Sequence, residues 1–255
     1  MSRRMVLTAL AGIPTIRPGD DLAAAIVDAF GRADLVAQDG DIVVLAQKIV
    51  SKAEGRRVRL RDVEPSPRAM ALAAEAEKDP RVVELILRES VAVVRCRPGV
   101  IIVEHRSGLV MANAGIDASN VDGTEGDECV LLLPEDADRS AAVLREALRQ
   151  LLGRDIGVVI NDSFGRAWRN GTVGTAICVA GPPALWDMRG LPDRNGRVLR
   201  ATEVGIADEL AAAASLLMGQ ASEGLPVVHV RGFPLAFRPG SVRELIRDRN
   251  IDLFR

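Results

Sequence analysis

The sequence of 255 residues contains no tyrosine, and aromatic residues make up only 3% of it. Single-stranded nucleic acids are usually bound by stacking on aromatic side chains, and the net charge of −2 offers no basic surface instead. We therefore expect no nucleic acid partner. No apolar run approaches the roughly 20 residues that span a bilayer, and the first residues do not resemble a secretion signal. These absences predict a cytoplasmic protein with no membrane partner.

Histidine and cysteine are also scarce, with only two histidines, His105 and His229, in the chain. The three cysteines, Cys96, Cys129 and Cys178, lack metal-ligand spacing, so we expect buried, reduced thiols. His229 lies in an apolar run and is expected in the core. A histidine-rich metal site is excluded, and any metal would be a hard ion held by oxygen atoms.

The two common phosphate-binding motifs are missing as well. The chain has no Walker run ending in Gly-Lys-Ser/Thr, and no G-x-G-x-x-G follows a predicted strand. Lysine itself is rare, since only 3 of the 33 basic residues are lysine. Two of the three, Lys48 and Lys52, lie in one short segment, and an ammonium retained in an arginine-rich chain suggests contact with a phosphate oxygen. A solvated pair on a helix surface is the alternative.

Two apolar runs end in small residues, amides and a carboxylate. Residues 157–160 lead into 161–171, which begin Asn-Asp-Ser, and residues 108–111 lead into 112–120. Asp117 and Asp162 could hold one Mg²⁺ or Mn²⁺ between them, with the Ser163 hydroxyl as a further ligand. An ordinary turn, in which an aspartate bonds its own backbone, is the alternative for each stretch.

Hydrophobic residues make up 48% of the chain, and their spacing predicts a folded protein of mixed structure. The predicted strands are 6–10, 41–46, 91–95, 100–103, 129–133, 157–160, 174–181 and 227–231, and the predicted helices are 21–30, 67–78, 80–90, 140–152 and 202–218. The regular strand–helix alternation of a doubly wound sheet is missing. We therefore expect an α+β fold, with mixed sheets, flanking helices and two interleaved lobes, in one domain of residues 1–255 that can divide into two subdomains.

Five segments, taken together and in order, resemble the coenzyme F420:L-glutamate ligase family over essentially the whole chain. They are residues 12–14, 47–56, 113–120, 161–166 and 208–211. The resemblance implies a GTP-dependent enzyme that joins L-glutamate to the lactyl-phosphate end of a deazaflavin precursor, through an acyl phosphate, and then adds further γ-linked glutamates. It also implies an intertwined homodimer and a need for Mg²⁺ or Mn²⁺, and for K⁺.

Position by position, the resemblance implies that Asp117, Asp162 and Ser163 bind the divalent metal. The nucleotide contacts that it implies are Ile13, Pro14, Thr15, Ile16, Gln47, Lys48, Lys52, Asn120, Met218, Gly219 and Gln220. We expect Lys52, Asp162 and Arg166 to act in catalysis. Lys52 would neutralise phosphate charge, and Arg166, or alternatively Arg169, would hold an acidic substrate.

Two residues depart from the family's pattern. Ser163 stands where threonine is more common and keeps the hydroxyl, while Ala167 stands where proline is common and leaves the loop looser. Because the sequence stops at Arg255, we expect no nitroreductase-like C-terminal domain such as two-domain relatives carry. A nucleotide- or metal-binding module without turnover, or a structural dimer subunit, remains the alternative to a ligase.

Overall fold

The computed structural model describes residues 3–119 and 128–252. The strands are β1 (Val6–Ala9), β2 (Ile42–Ala46), β3 (Arg57–Arg59), β4 (Ser90–Arg97), β5 (Val100–His105), β6 (Val110–Ala112), β7 (Cys129–Leu131), β8 (Gly157–Arg166), β9 (Arg169–Ala180), β10 (Trp186–Asp187), β11 (Glu203–Val204) and β12 (Val227–Arg231). The α-helices are α1 (Leu22–Arg32), α2 (Gln47–Ala53), α3 (Pro67–Ala76), α4 (Pro80–Arg88), α5 (Ala137–Leu152) and α6 (Ile206–Met218). Short 3-10 helices cover Leu60–Asp62, Asn113–Gly115, Val242–Leu245 and Arg249–Ile251.

The main sheet has five strands in the order β1-β12-β2-β8-β9. Strands β2 and β8 run parallel, and Ala46 at the end of β2 is the register partner of Asn161. The remaining neighbours in this sheet pair antiparallel. Because β2 and β8 are parallel and adjacent, the residues that follow Ala46 and Asn161 lie at the same end of this strand pair.

Helices cover both faces of this sheet, so the buried strands are apolar on both sides. Val43 and Leu45 of β2 point into the core that contains α1 and α5, whereas Ile42 and Val44 point into the core that contains α6. All four side chains have no exposed surface. Burying each one contributes about 1.5–3 kcal/mol, so this strand is held firmly from both faces.

A smaller unit is inserted between α2 and α5. It contains the three-stranded sheet β4-β5-β6, against which α3 and α4 pack, and the strand pair β3-β7. Its own core includes Val83, Ile86, Ile101 and Val103, all without exposed surface. The inserted unit therefore has a hydrophobic core distinct from the two cores of the main sheet.

The predicted α+β class, with mixed sheets and flanking helices, is confirmed, while the interleaved lobes and the homodimer remain predictions. The helix predicted from residue 202 begins at Ile206, because Glu203 and Val204 pair with β10. The helix predicted from residue 140 begins at Ala137, where the Asp136 carboxylate caps it by accepting from the Arg139 amide. No cysteine of the described chain forms a disulfide; Cys129 and Cys178 are buried, as predicted, whereas Cys96 is only half-buried. No helix in the described part of the chain has the length and apolar character needed to cross a membrane.

His229 lies in the core, as predicted, and forms part of a buried ionic cluster. Its Nε2 lies 2.9 Å from Asp41 Oδ2, and the Arg231 guanidinium donates to both carboxylate oxygens of Asp41. Burial alone would raise the pKa of Asp41, but the hydrogen bonds from Arg231 and the contact with His229 hold it below its usual range. Since Asp41 precedes β2, the cluster fixes β12 against the amino end of β2, opposite Ala46.

Candidate functional site

A cavity of about 650 Å³ opens where the parallel pairing of β2 with β8 ends, at Ala46 and Asn161. The chain leaves β2 through Gln47 and Lys48, the first residues of α2, while β8 continues through Asp162 and Ser163. Ligands of open α/β sheets commonly bind beyond the carboxyl ends of parallel strands, where loops bring polar groups together. The topology therefore places this cavity where a small-molecule site is expected.

The predicted site residues converge on this cavity although they come from five separate segments. Those that line it are Ile13, Pro14, Thr15, Ile16, Gln47, Lys48, Lys52, Asp117, Asp162, Ser163, Met218, Gly219 and Gln220. Asn120 lies outside the described residues. A second cavity of about 630 Å³, between α1, α2 and α5, contains none of the predicted residues, so cavity size does not distinguish the two. The two cavities are distinguished by the predicted site residues, which line only the first.

Arg166 is the one predicted residue of the described chain that does not line the cavity. It lies at the last position of β8, is exposed, and donates from Nη2 to the Asn170 carbonyl at 3.2 Å. We expected the chain to leave its strand near Ile160, but pairing with β9 continues through Arg166. The longer hairpin carries Arg166 away from Asp162, and its part in catalysis remains a prediction.

Lys48 and Asp117 form an ion pair inside the cavity. Lys48 Nζ lies 2.7 Å from Asp117 Oδ2 and donates to Ser119 Oγ at 2.8 Å. The Ser119 amide donates to the other carboxylate oxygen of Asp117 at 2.6 Å. Burial on its own would raise the pKa of Asp117, but these contacts with Lys48 and Ser119 outweigh it and hold the pKa below its usual range. Asp117 is therefore ionised near neutral pH and is already paired with the Lys48 ammonium.

Asp162 has the opposite electrostatic character. Burial raises its pKa to about 6, and the charge of nearby Asp117 adds to the increase, although the hydrogen bond from the Ser163 amide opposes both. The Ser163 amide donates to Asp162 Oδ1 at 2.8 Å. The negative charges of two nearby carboxylates repel each other, and a divalent cation that binds between them offsets this repulsion.

The donor groups here fit Mg²⁺ or Mn²⁺. Both ions prefer oxygen ligands and are typically held by one or two carboxylates, the remaining positions being filled by water and phosphate oxygens. Within residues 3–119 and 128–252, no group of three His, Cys, Asp or Glu side chains is placed to bind a metal by itself. Asp117 and Asp162 would thus supply two ligands. The third predicted ligand, the Ser163 hydroxyl, donates to Gln220 Oε1 at 2.8 Å and keeps its oxygen lone pairs for a metal ion.

Lys52 lies one turn of α2 beyond Lys48 and lines the same cavity. It forms no ion pair with any residue that the structure describes, in contrast to Lys48. Its ammonium is therefore available to an anionic ligand without breaking a contact to those residues. Side chains at i and i+4 share a helix face, so both lysines can approach one phosphate chain.

The loop after α6 closes one side of the cavity. Gly219 has φ of +73°, and a side chain there would collide with the Glu223 carboxyl group, with only 2.1 Å between the added carbon and the carboxyl carbon. Gln220 donates from Nε2 to Ser215 Oγ at 3.0 Å, and the Glu223 carboxylate accepts from the Ala221 amide at 2.8 Å. Glycine at 219 lets the chain turn directly from Met218 into the cavity wall.

Asn161 also lines the cavity, and it was not among the predicted site residues. It is 4% exposed, and its Oδ1 lacks a hydrogen-bond partner among the described residues. Gln47, at the end of the neighbouring strand, is 1% exposed and has an unpartnered Nε2. Buried amides are normally satisfied, so an unpaired donor and an unpaired acceptor in one cavity indicate a bound ligand. The signal in the sequence was an amide directly after an otherwise apolar strand.

A cavity at this position in a sheet flanked by helices is typical of enzymes that bind small molecules. The sequence pattern of F420-0:gamma-glutamyl ligases matches residues 12–232. A protein of Methanothermobacter thermautotrophicus named coenzyme F420:L-glutamate ligase is 45% identical over 251 residues, covering 98% of each chain. Proteins with the same name from Methanopyrus kandleri and Haloarcula marismortui are 48% and 42% identical, over 94% and 98% of this chain and 93% and 96% of their own lengths. The chain belongs to the F420-0:gamma-glutamyl ligase family.

Proposed function

We propose that this protein uses GTP to join L-glutamate to the deazaflavin precursor of coenzyme F420, and that it then adds further γ-linked glutamates. A glutamate ligase role in coenzyme F420 biosynthesis follows from family membership and from relatives named for that activity. The finer proposal rests on one structural observation. Thirteen residues predicted to bind metal or nucleotide line a single cavity where the pairing of β2 with β8 ends.

The charges in the cavity support binding of a nucleotide triphosphate with a divalent ion. Lys48 and Lys52 supply two ammonium groups, and the unpartnered Gln47 Nε2 supplies a neutral donor for a phosphate oxygen. Asp117 and Asp162 would hold Mg²⁺ or Mn²⁺, which when bound neutralises phosphate charge and orients the transferring group. The volume of about 650 Å³ lies within the range of small-molecule sites.

The reaction that suits this site proceeds in two steps. The terminal phosphoryl group moves from GTP to an oxygen of the substrate carboxylate, so that the bond to GDP breaks and an acyl phosphate forms. The amine of glutamate then attacks the acyl carbon, and inorganic phosphate leaves with the electron pair of the broken C–O bond. Lys48 and Lys52 stabilise the charge that shifts among the phosphate oxygens in the first step. No covalent intermediate with the protein is needed.

The direct test is product formation by purified protein with GTP, Mn²⁺, K⁺, precursor and L-glutamate. Mass spectrometry should show a glutamylated product, and GDP release should require both the precursor and glutamate. Asp162→Asn should remove turnover while leaving the thermal unfolding transition cooperative. GTP and Mn²⁺ binding without product would instead support a binding module without catalysis. Omitting K⁺ tests the predicted need for potassium, and light scattering tests the predicted homodimer.

A further inference from the structure

We infer that the Asn161 side-chain oxygen receives the amino group of the incoming L-glutamate, which makes Asn161 a positioning residue for the second step. This inference rests on the proposed function. Neither the resemblance nor the relatives' names assign a role to Asn161. Three observations support the inference: the burial of Asn161, the direction of its amide and its place beside Asp162.

A hydrogen bond to Met218 sets the orientation of the Asn161 amide. Its Nδ2 donates to Met218 Sδ at 3.5 Å, and a thioether sulfur can only accept a hydrogen bond. The nitrogen is therefore directed at Met218, and Oδ1 is left without a partner among residues 3–119 and 128–252. With only 4% of the residue exposed, bulk solvent does not readily satisfy this oxygen.

An amide oxygen can accept a hydrogen bond or coordinate a cation, but it cannot donate a hydrogen bond, and this limits the ligand groups that it can bind. Phosphate and carboxylate oxygens are themselves acceptors and are excluded, whereas an amine N–H is suitable. Gln47 has the complementary chemistry, because its Oε1 accepts from Ser51 Oγ at 2.9 Å and its Nε2 has no partner in the part of the chain that the structure describes. Gln47 therefore suits an anionic oxygen and Asn161 suits a donor. Gln47 directly follows Ala46, and Ala46 is the register partner of Asn161 on the adjacent strand.

The location beside Asp162 favours the reacting amine over other donors. The guanine base and ribose of GTP also carry donors, but they are separated from the terminal phosphate by the rest of the phosphate chain. Asn161 directly precedes Asp162, which is proposed to hold the ion bound to those phosphates. Phosphoryl transfer and amine attack share the same acyl group, so the amine must enter this same region.

Asn161 orients the amine and does not deprotonate it, because a neutral amide oxygen is far too weak a base. In the balanced step, the nitrogen lone pair forms the C–N bond, the C–O bond to phosphate breaks, and one N–H proton leaves to solvent or to the departing phosphate. A hydrogen bond from a second N–H to Asn161 Oδ1 would direct the lone pair at the acyl carbon. Such positioning should matter for glutamate and matter little for a small nucleophile at high concentration.

Hydroxylamine provides the required comparison, because it traps acyl phosphates as hydroxamates. Asn161→Leu is close to isosteric and suits the apolar contact with Met218. With GTP, Mn²⁺ and precursor, we expect this variant to form hydroxamate at a rate within about threefold of wild type, while kcat/KM for L-glutamate falls about 10- to 100-fold. Equal losses of both products would overturn the inference, since Asn161 would then serve nucleotide binding, the first step or the fold.

Two further variants complete the experiment. Gln47→Leu removes the buried donor at the neighbouring strand end and should lower hydroxamate and glutamyl product together. Asn161→Asp keeps an acceptor oxygen and should hold the ratio of the two products near that of wild type; a ratio as low as in Asn161→Leu would count against the inference. If Asn161→Leu does not fold, Asn161→Ala provides the same comparison. Wild-type protein that forms neither product would refute the proposed function instead.

Discussion

Replacing Lys48 by methionine should tighten the binding of Mn²⁺ to the nucleotide-free protein. In the structure, the Lys48 ammonium lies 2.7 Å from Asp117 Oδ2. An ion that binds Asp117 must displace this ammonium or bind beside it. Methionine has a similar length and no charge, so Lys48→Met removes the competitor while keeping most of the packing of the side chain.

The magnitude follows from the partial exposure of the pair. The side chains of Lys48 and Asp117 are 28% and 27% exposed, so solvent weakens their attraction without removing it. An ion pair in such a setting contributes about 1–2 kcal/mol, between a surface pair and a buried hydrogen bond to a charged group. Because each 1.4 kcal/mol corresponds to a tenfold change in affinity, Lys48→Met should bind Mn²⁺ about 5- to 30-fold more tightly.

Isothermal titration calorimetry near neutral pH measures this affinity directly. Lys52→Met is the matched control, since Lys52 forms no ion pair with a described residue and its loss should leave Mn²⁺ affinity within about twofold of wild type. With GDP present, Lys48→Met should instead bind Mn²⁺ more weakly than wild type, because the variant lacks the Lys48 ammonium that contacts the phosphates. Unchanged or weaker Mn²⁺ binding by nucleotide-free Lys48→Met would refute the view that Lys48 competes with the ion for Asp117.

Three further predictions concern charge and stability. Lys52→Met should weaken GTP binding at least about tenfold, because a charge-assisted phosphate contact is lost, and calorimetry with an equal affinity to wild type would contradict this. The pKa of Asp162 is raised to about 6 from 3.8, so the folded protein binds more protons between these values and loses stability as pH rises through them. In EDTA, Asp162→Asn should therefore unfold at higher denaturant than wild type at about pH 7, and the difference should disappear near pH 4; a constant difference would contradict the shift. Asp41→Asn should lower the free energy of unfolding by about 3 kcal/mol in urea titrations, because it removes the buried counter-charge of the Arg231 guanidinium. A loss under about 1 kcal/mol would show that the cluster is not needed.

The strands at the site could be predicted because their apolar runs are short and well bounded. Residues 41–46 and 157–160 are continuous apolar segments of the kind buried on both faces, and both form adjacent parallel strands. The position of Asp117 beside Asp162 was harder to foresee. The two lie in different structural units, and their approach depends on how those units pack, which local sequence does not encode. Only the family resemblance connected them.

Other features depended on tertiary contacts that local sequence does not reveal. The polar residues 162–166 were expected outside the strand, but pairing with β9 keeps them within β8 and takes Arg166 to the hairpin end. The ion pair of Lys48 with Asp117 was not predicted, since the residues are far apart in sequence. Asn161 was not predicted as a site residue, because only the folded structure shows that its buried Oδ1 has no partner among the described residues.

Asp117 and Asp162 come from parts of the protein with separate hydrophobic cores. Asp117 is held by backbone bonding to Leu131 in the inserted unit, whereas Asp162 belongs to the main sheet. A ligand that binds both carboxylates therefore acts as a cross-link between the two units, and its binding energy adds to the work needed to separate them. Amide hydrogen exchange in α3 and α4, remote from the cavity, should consequently slow when the metal–nucleotide complex binds. Ligand binding would thus be measurable as slower amide exchange in two helices that lie away from the cavity.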